Sequence, residues 1–128
     1  MLINHRTGIN SIMKSKYKAV WLVFVQIEPK ENFSFVELVD FEGQNNSDNY
    51  SGAWANVIIR ANTIEEVIEL VPKGLDEKHF KVLFIDKIEN VQSLIEYNEL
   101  DKKVIQEIDW LLSTEYVFMI SDKIFPYQ

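Results

Sequence analysis

Residues 52–71, with the sequence GAWANVIIRANTIEEVIELV, constrain the fold more than any other part of the chain. The apolar run over residues 54–61 predicts a buried strand. Thr63 followed by Glu66 is a capping-box pattern, because the threonine hydroxyl can accept from the Glu66 amide at the start of a helix. The apolar residues that follow recur at helical spacing and predict one buried stripe. They are Ile64, Val67, Ile68 and Val71.

Further apolar runs predict four more strands, at residues 19–27, 33–41, 80–88 and 116–125. The first of these, AVWLVFVQI, is apolar on both faces and is therefore expected to be a central strand covered on each side. Two more helices are predicted, a short one near residues 91–95 and a clearer one at residues 102–112. Pro72 predicts a break or kink in the first helix, and Gly74 supports an ending nearby.

The predicted order of elements is β-β-β-α-β-α-α-β. We therefore expect an α+β fold, a mostly antiparallel sheet of about five strands with two to three helices packed on one face, close to a ferredoxin-like sandwich. A length of 128 residues indicates one domain. We place this domain at residues 17–128, after a flexible basic leader at residues 1–16.

The composition argues against several kinds of chemistry. The chain has no cysteine, which excludes disulfides, thiolate catalysis and cysteine-ligated zinc or iron–sulfur clusters. The two histidines, His5 and His79, show no metal-ligand spacing, and the four glycines form no phosphate-binding loop. There is no G-x-S-x-G nucleophile motif. We expect no catalytic residues, no metal and no cofactor, and a protein that is not an enzyme.

The charge pattern limits the kinds of partner that we expect, and the lengths of the apolar runs limit the location. The net charge is −7, distributed as +4 over residues 1–27, −4 over residues 28–60 and −7 over residues 61–128. Nucleic-acid binding requires clustered lysine and arginine, so we expect no nucleic-acid partner. No apolar run approaches the ~18 residues of a membrane span, so we expect no membrane association and a cytoplasmic location.

A protein-binding surface is predicted on the helix at residues 102–112. Trp110 points away from the apolar side of this helix, and large aromatic residues on an outer face are enriched at protein interfaces. The alternative is that Trp110 lies flat over a neighbouring loop. We expect Trp110, Glu107 and Asp109 to contact a partner. A second contact region is predicted in the polar loop before residue 52, with the residues Asn46, Asp48 and Tyr50.

A pocket between sheet and helices is the alternative site. Arg60 lies inside a predicted strand and can pair with a strand acid, either Asp86 or Glu37. The competing interpretation is an arginine at a sheet edge whose charged end reaches water. A pocket of this kind would make the chain a small-ligand-binding or enzymatic α+β domain.

The segment WANVIIRANTIEEV, with the later strands FKVLFID and YVFMI, resembles a broad group of small uncharacterised bacterial α+β proteins. In that group a W-x-N strand leads into a capped helix. The acidic profile is also similar to immunity proteins of bacterial toxin systems. That resemblance implies a cytosolic, non-enzymatic inhibitor that binds and neutralises a partner protein, for which a basic toxin is the candidate. Acidic surfaces speed the encounter with a basic partner.

Overall fold

The computed structural model of the protein describes residues 16–35 and 50–128. The elements in chain order are β1 (Val20–Pro29), β2 (Gly52–Arg60), α1 (Ile64–Glu77), β3 (Phe80–Asn90), α2 (Val91–Glu96), α3 (Lys102–Leu112) and β4 (Phe118–Tyr127). The four strands form one sheet in the order β3-β1-β2-β4, and every neighbouring pair is antiparallel. The described part of the chain is thus α+β, with a four-stranded antiparallel sheet and three helices.

Two apolar clusters lie on opposite faces of this sheet. The first contains Val23 of β1 and Val57 of β2 together with Val71 of α1. The second contains Val20 of β1 and Ile58 of β2 together with buried residues of α2 and α3. Because successive strand residues point to opposite faces, α1 covers one face and α2 and α3 cover the other.

This arrangement differs from the predicted sandwich. Helices pack on both faces because β1 is apolar on both, which is what its sequence indicates. The described order β-β-α-β-α-α-β also does not follow the β-α-β-β-α-β pattern of a ferredoxin-like fold. Of the predicted strand at residues 33–41, residues 33–35 are not in a strand and the remainder lies outside the described residues. Phe35 is fully buried, with its ring 5.6 Å from that of Phe80.

Helix α1 begins as its sequence predicts. Thr63 is the N-cap, and its hydroxyl accepts from the amide of Glu66 at 3.2 Å. The Glu66 carboxylate accepts in return from the amide of Asn62 at 3.0 Å. The second bond of the capping box is therefore made to the residue before the N-cap. Helix α1 continues through Pro72 to Glu77, past the predicted ending.

The buried stripe of α1 is rotated from the predicted one. Val67, Val71 and Leu75 are fully buried, whereas Ile64 and Ile68 are 47% and 51% exposed. Val71 and Leu75 lie on either side of Pro72. The free energy gained by burying them offsets the cost of the backbone hydrogen bond that the proline cannot form. Gly74 brings the helix close to β4, because a Cβ atom there would lie 2.8 Å from Cδ2 of Phe118.

Gly74→Ala is expected to destabilise the protein. At an exposed helical position, replacing glycine with alanine raises the free energy of unfolding by as much as about 1 kcal/mol. Here the added methyl would displace the Phe118 ring, and overpacking of this kind costs roughly 1–3 kcal/mol. Urea denaturation compares the variant with Lys73→Ala, an exposed neighbour whose replacement should change the free energy of unfolding by less than about 0.5 kcal/mol. A Gly74→Ala variant more stable than the parent would contradict the close packing.

Candidate docking surfaces

An exposed aromatic pair marks the C-terminal end of α3. Trp110 is 53% exposed and Tyr116, just before β4, is 64% exposed. Their rings stack with centroids 6.2 Å apart and planes at 28°. Trp110 therefore points outward, as its position on the helix indicates. We term Trp110, Tyr116 and the groove beside them the Trp110 surface.

The groove runs between α3 and β4. Its volume is about 410 Å³, and its lining residues are Lys103, Gln106, Glu107, Trp110, Met119 and Asp122. Apolar side chains form part of its wall, and charged groups of both signs lie around it. A shallow groove of this composition suits contact with a protein side chain better than enclosure of a small molecule, because small-molecule sites bury most of their ligand.

Glu107 forms hydrogen bonds within the protein. Its two carboxylate oxygens accept from the Ser121 hydroxyl at 2.6 Å and from the Asp122 amide at 2.8 Å. At this point β4 has three residues, Ser121 to Lys123, opposite the single residue Asn56 of β2. Glu107 thus holds the bulge of β4 in place, which sequence spacing could not reveal because the two segments are 14 residues apart.

Asp109 also serves an internal contact. Its carboxylate accepts from the Tyr17 hydroxyl at 2.8 Å and lies 3.4 Å from the Lys16 ammonium. Burial, together with the bond to Asp109, raises the pKa of Tyr17. Asp109 therefore ties the segment before β1 to α3. Of the three residues predicted on this helix, Trp110 is the one whose large, exposed side chain makes no hydrogen bond to a described residue.

Arg60 and Asp86, the two predicted pocket residues that the structure describes, are not brought together. The Arg60 guanidinium donates to the carbonyl oxygens of Thr114 and Tyr116 at 3.0 and 3.4 Å. Asp86 is exposed at a bulge in β3, which is not a neighbour of β2. Glu37 lies outside the described residues. Arg60 instead fixes the backbone beneath the Trp110 surface.

The predicted second contact region is described only at its end. Asn46 and Asp48 lie outside the described residues. Tyr50 is partly buried and packs against the first apolar cluster, so it contributes to the core.

The N-cap of α3 makes a second contact with the bulge. The Asp101 carboxylate accepts from the Val104 amide at 3.0 Å and from the Lys123 ammonium. The Lys123 hydrogen bond, followed by that of Val104, lowers the pKa of Asp101. Two carboxylates of α3, Asp101 and Glu107, therefore hold one short segment of β4.

A second aromatic surface, which no sequence pattern indicates, lies on the sheet beyond the N-terminus of α3. Phe24 and Trp54 stack with centroids 5.3 Å apart and planes at 14°. Phe125 meets Phe24 edge-on at 6.3 Å, and Phe84 meets Trp54 edge-on at 6.4 Å. We term these four side chains the aromatic face. Each ring comes from a different strand, so strand alternation alone could not show that they meet.

No protein-family model, curated protein or solved structure matches the chain. Within residues 16–35 and 50–128, no three histidine or acidic side chains group together in a way that could hold a metal ion. No helix in the same part of the chain is both long and apolar enough to cross a membrane.

Glu107→Ala is expected to lower the free energy of unfolding by about 1–3 kcal/mol. The reason is that Ser121 is buried, and its hydroxyl and the Asp122 amide both lose their acceptor. Gln106→Ala is the matched control, because Gln106 is exposed on the same helix and should change stability by less than about 0.5 kcal/mol. Equal denaturation midpoints for the two variants would mean that Glu107 is free to contact a partner.

Asp101→Asn is expected to make the free energy of unfolding depend less on pH in the acidic range. Asparagine keeps the N-cap acceptor but loses the charge that attracts Lys123. Because the folded pKa of Asp101 is lowered, its contribution is present above the unfolded value of about 3.9 and is lost as pH falls through the lower folded value. Thermal unfolding should show the parent more stable near neutral pH, with the difference closing in stronger acid. A difference independent of pH would contradict the charge interaction.

Proposed function

We propose that this chain is a binding protein without catalytic activity, an immunity-type inhibitor that neutralises a toxin by direct contact. The observation that carries the proposal is the exposed, stacked pair of Trp110 and Tyr116 beside a groove. Tryptophan and tyrosine are enriched among the residues that contribute most to protein binding. A pair that is already stacked loses little side-chain freedom on docking, which favours affinity.

The groups beneath the pair favour a rigid docking surface. Arg60 holds the carbonyl of Tyr116, and the Ser113 and Thr114 hydroxyls donate to the last carbonyls of α3. Glu107 holds the facing segment of β4. Binding surfaces supported by helices, strands and fixed hydrogen bonds keep their geometry better than surfaces on free loops.

The charge of the protein favours a basic partner. The net charge is −7, and the exposed acids Glu115 and Asp122 lie next to Tyr116 and in the groove wall. Acidic groups at the rim of an interface raise the association rate with a basic protein and disfavour acidic ones. The carboxylates of Glu107 and Asp109, which are hydrogen-bonded within the protein, add to the negative electrostatic potential of this surface without contacting the partner.

Trp110→Ala should weaken the complex with the toxin by about 10- to 100-fold, in the range of an interface hot spot. The toxin is first identified by pull-down from the native host, and the measurements are its Kd and the growth of cells that co-express the two proteins. Tyr97→Ala is the matched control, because Tyr97 is 74% exposed on a different part of the surface. Unchanged protection and Kd in the Trp110 variant would contradict the assignment of this surface.

The salt dependence of Kd separately tests the proposed electrostatic attraction to a basic partner. Rising sodium chloride should weaken the complex mainly through a slower association rate, because exposed charges are screened. A complex that is insensitive to salt would argue against docking onto a basic partner. Failure of the folded protein to capture any toxin from its native host would overturn the proposed function.

A further inference from the structure

The two ends of the groove beside Trp110 differ in chemistry. Its helical wall consists of four residues that recur at intervals of three and four, which places them on one side of α3. They are Lys103, Gln106, Glu107 and Trp110. The opposite wall is formed by Met119 and Asp122 of β4. Because a helix rises about 1.5 Å per residue, Lys103 lies about 10 Å along the axis from Trp110.

We propose that the Trp110 end of this groove binds an arginine side chain of the partner protein. The guanidinium lies between the Trp110 indole and the carboxylates of Glu107 and Asp122, and we term these three side chains the arginine site. This inference rests on the proposed function, because it takes the ligand to be a protein that docks on the Trp110 surface. The contacts themselves belong to this chain, so they can be tested without the partner.

Trp110 supplies an aromatic ring face for a cation. Tyr116 stacks against the indole with the planes at 28°, and 53% of the Trp110 side chain remains exposed. Because Tyr116 covers one face of the ring, the opposite face is left for a ligand. Cations bind over aromatic ring faces, most strongly over tryptophan, and arginine does so more often than lysine. The methylene groups of the arginine pack against Met119, which also lines the groove.

The Glu107 carboxylate is held in a fixed orientation beside this ring. Its two oxygens accept one hydrogen bond each, from the Ser121 hydroxyl and the Asp122 amide. An ionised carboxylate has about four acceptor positions, so about two remain for a ligand. Both internal donors are neutral, so they leave the negative charge of Glu107 uncompensated. Residues three apart on a helix have Cβ atoms about 5–6 Å apart, which places Glu107 within reach of a guanidinium stacked on Trp110.

Asp122 supplies a second carboxylate from the opposite wall. It is exposed, and its carboxylate forms no ion pair or hydrogen bond with a described residue. Among the described residues that line the groove, these two carboxylates accompany the single ammonium group of Lys103, which leaves one negative charge in excess. One cationic side chain of a partner balances that charge.

The charged residues around the groove leave this excess unchanged, because they form pairs of opposite sign. The pairs are Asp109 with Lys16, Asp101 with Lys123, and Glu115 with Arg60, which donates to the carbonyls on both sides of Glu115. Lys102 joins Lys103 in the first turn of α3, at least about 10 Å along the helix from Trp110. A cationic side chain is therefore directed to the Trp110 end of the groove.

Other side chains fit this end of the groove less well. An acidic side chain would bring a third carboxylate beside Glu107 and Asp122. An aliphatic side chain would cover Glu107 without donating a hydrogen bond, which costs free energy because the carboxylate loses water. A lysine ammonium is compact and strongly hydrated, whereas a planar guanidinium can stack on the indole and donate two parallel bonds from its edge to a carboxylate.

Titration of the full chain with acetyl-arginine methylamide, followed by heteronuclear NMR, tests the arginine site without a partner protein. Among the three tryptophans, the indole N–H signal of Trp110 should shift, and those of Trp21 and Trp54 should not. Acetyl-citrulline methylamide has the same shape without the charge and should shift none of them. Acetyl-lysine methylamide should bind at least about twofold more weakly than the arginine probe. Equal binding of the three probes, or an unchanged Trp110 signal, would overturn the inference.

Charge variants test the two walls of the groove in opposite directions. Asp122→Asn should weaken binding of the arginine probe about twofold to fivefold, the range of an exposed ion pair. Lys103→Gln should strengthen binding by up to about twofold, because it removes a repelling charge. Asp86→Asn and Lys87→Gln are the matched controls on β3, at the other edge of the sheet, and should have no effect. Changes of the same sign in both groove variants, or equal effects in the controls, would contradict the arginine site.

Failure of this inference can be told apart from failure of the proposed function. A captured toxin that needs Trp110, but in which no arginine couples to Trp110 in double-mutant cycles, would overturn the arginine site and leave the proposed function standing. An arginine-selective response of the Trp110 signal, with no toxin captured from the native host, would overturn the proposed function and support the site.

Discussion

Burial of β1 on both of its faces is the constraint on which the rest of the structure depends. Val23, Val25 and Ile27 are fully buried on one face, and Val20 is buried on the other. Each side chain of this size contributes roughly 1.5–3 kcal/mol when it is removed from water. A sheet with helices on one face only would leave half of this apolar surface exposed. The three helices must therefore divide between the faces, and β1 must lie inside the sheet, which its two antiparallel neighbours achieve.

The helices on the second face are too short to cover it. Helix α3 has 11 residues and spans about 16 Å, whereas β4, along which it lies, has 10 residues and spans about 33 Å. The covered half contains Ile58 and Met119 with the second apolar cluster. The other half carries the aromatic face. This surface is thus a consequence of element lengths, and its rings reduce their exposure by packing on one another.

Local patterns could be predicted from the sequence, and contacts between distant segments could not. The Thr63 capping box, the central position of β1 and the outward direction of Trp110 each depend on residues within one element. The rotation of α1, which leaves Ile64 and Ile68 exposed, depends on how the helix meets the sheet. The roles of Glu107 and Asp109 depend on partners in β4 and before β1. An acid at helical spacing gives no sign of such partners, so both residues were predicted to face a binding protein.

The bulge of β4 links the two surfaces. Asp122 lies in the groove beside Trp110, Lys123 lies at the rim of the aromatic face, and both belong to the segment held by Glu107 and Asp101. Because one bulge positions both residues, the carboxylates of Glu107 and Asp101 determine the shape of both surfaces at this point of β4.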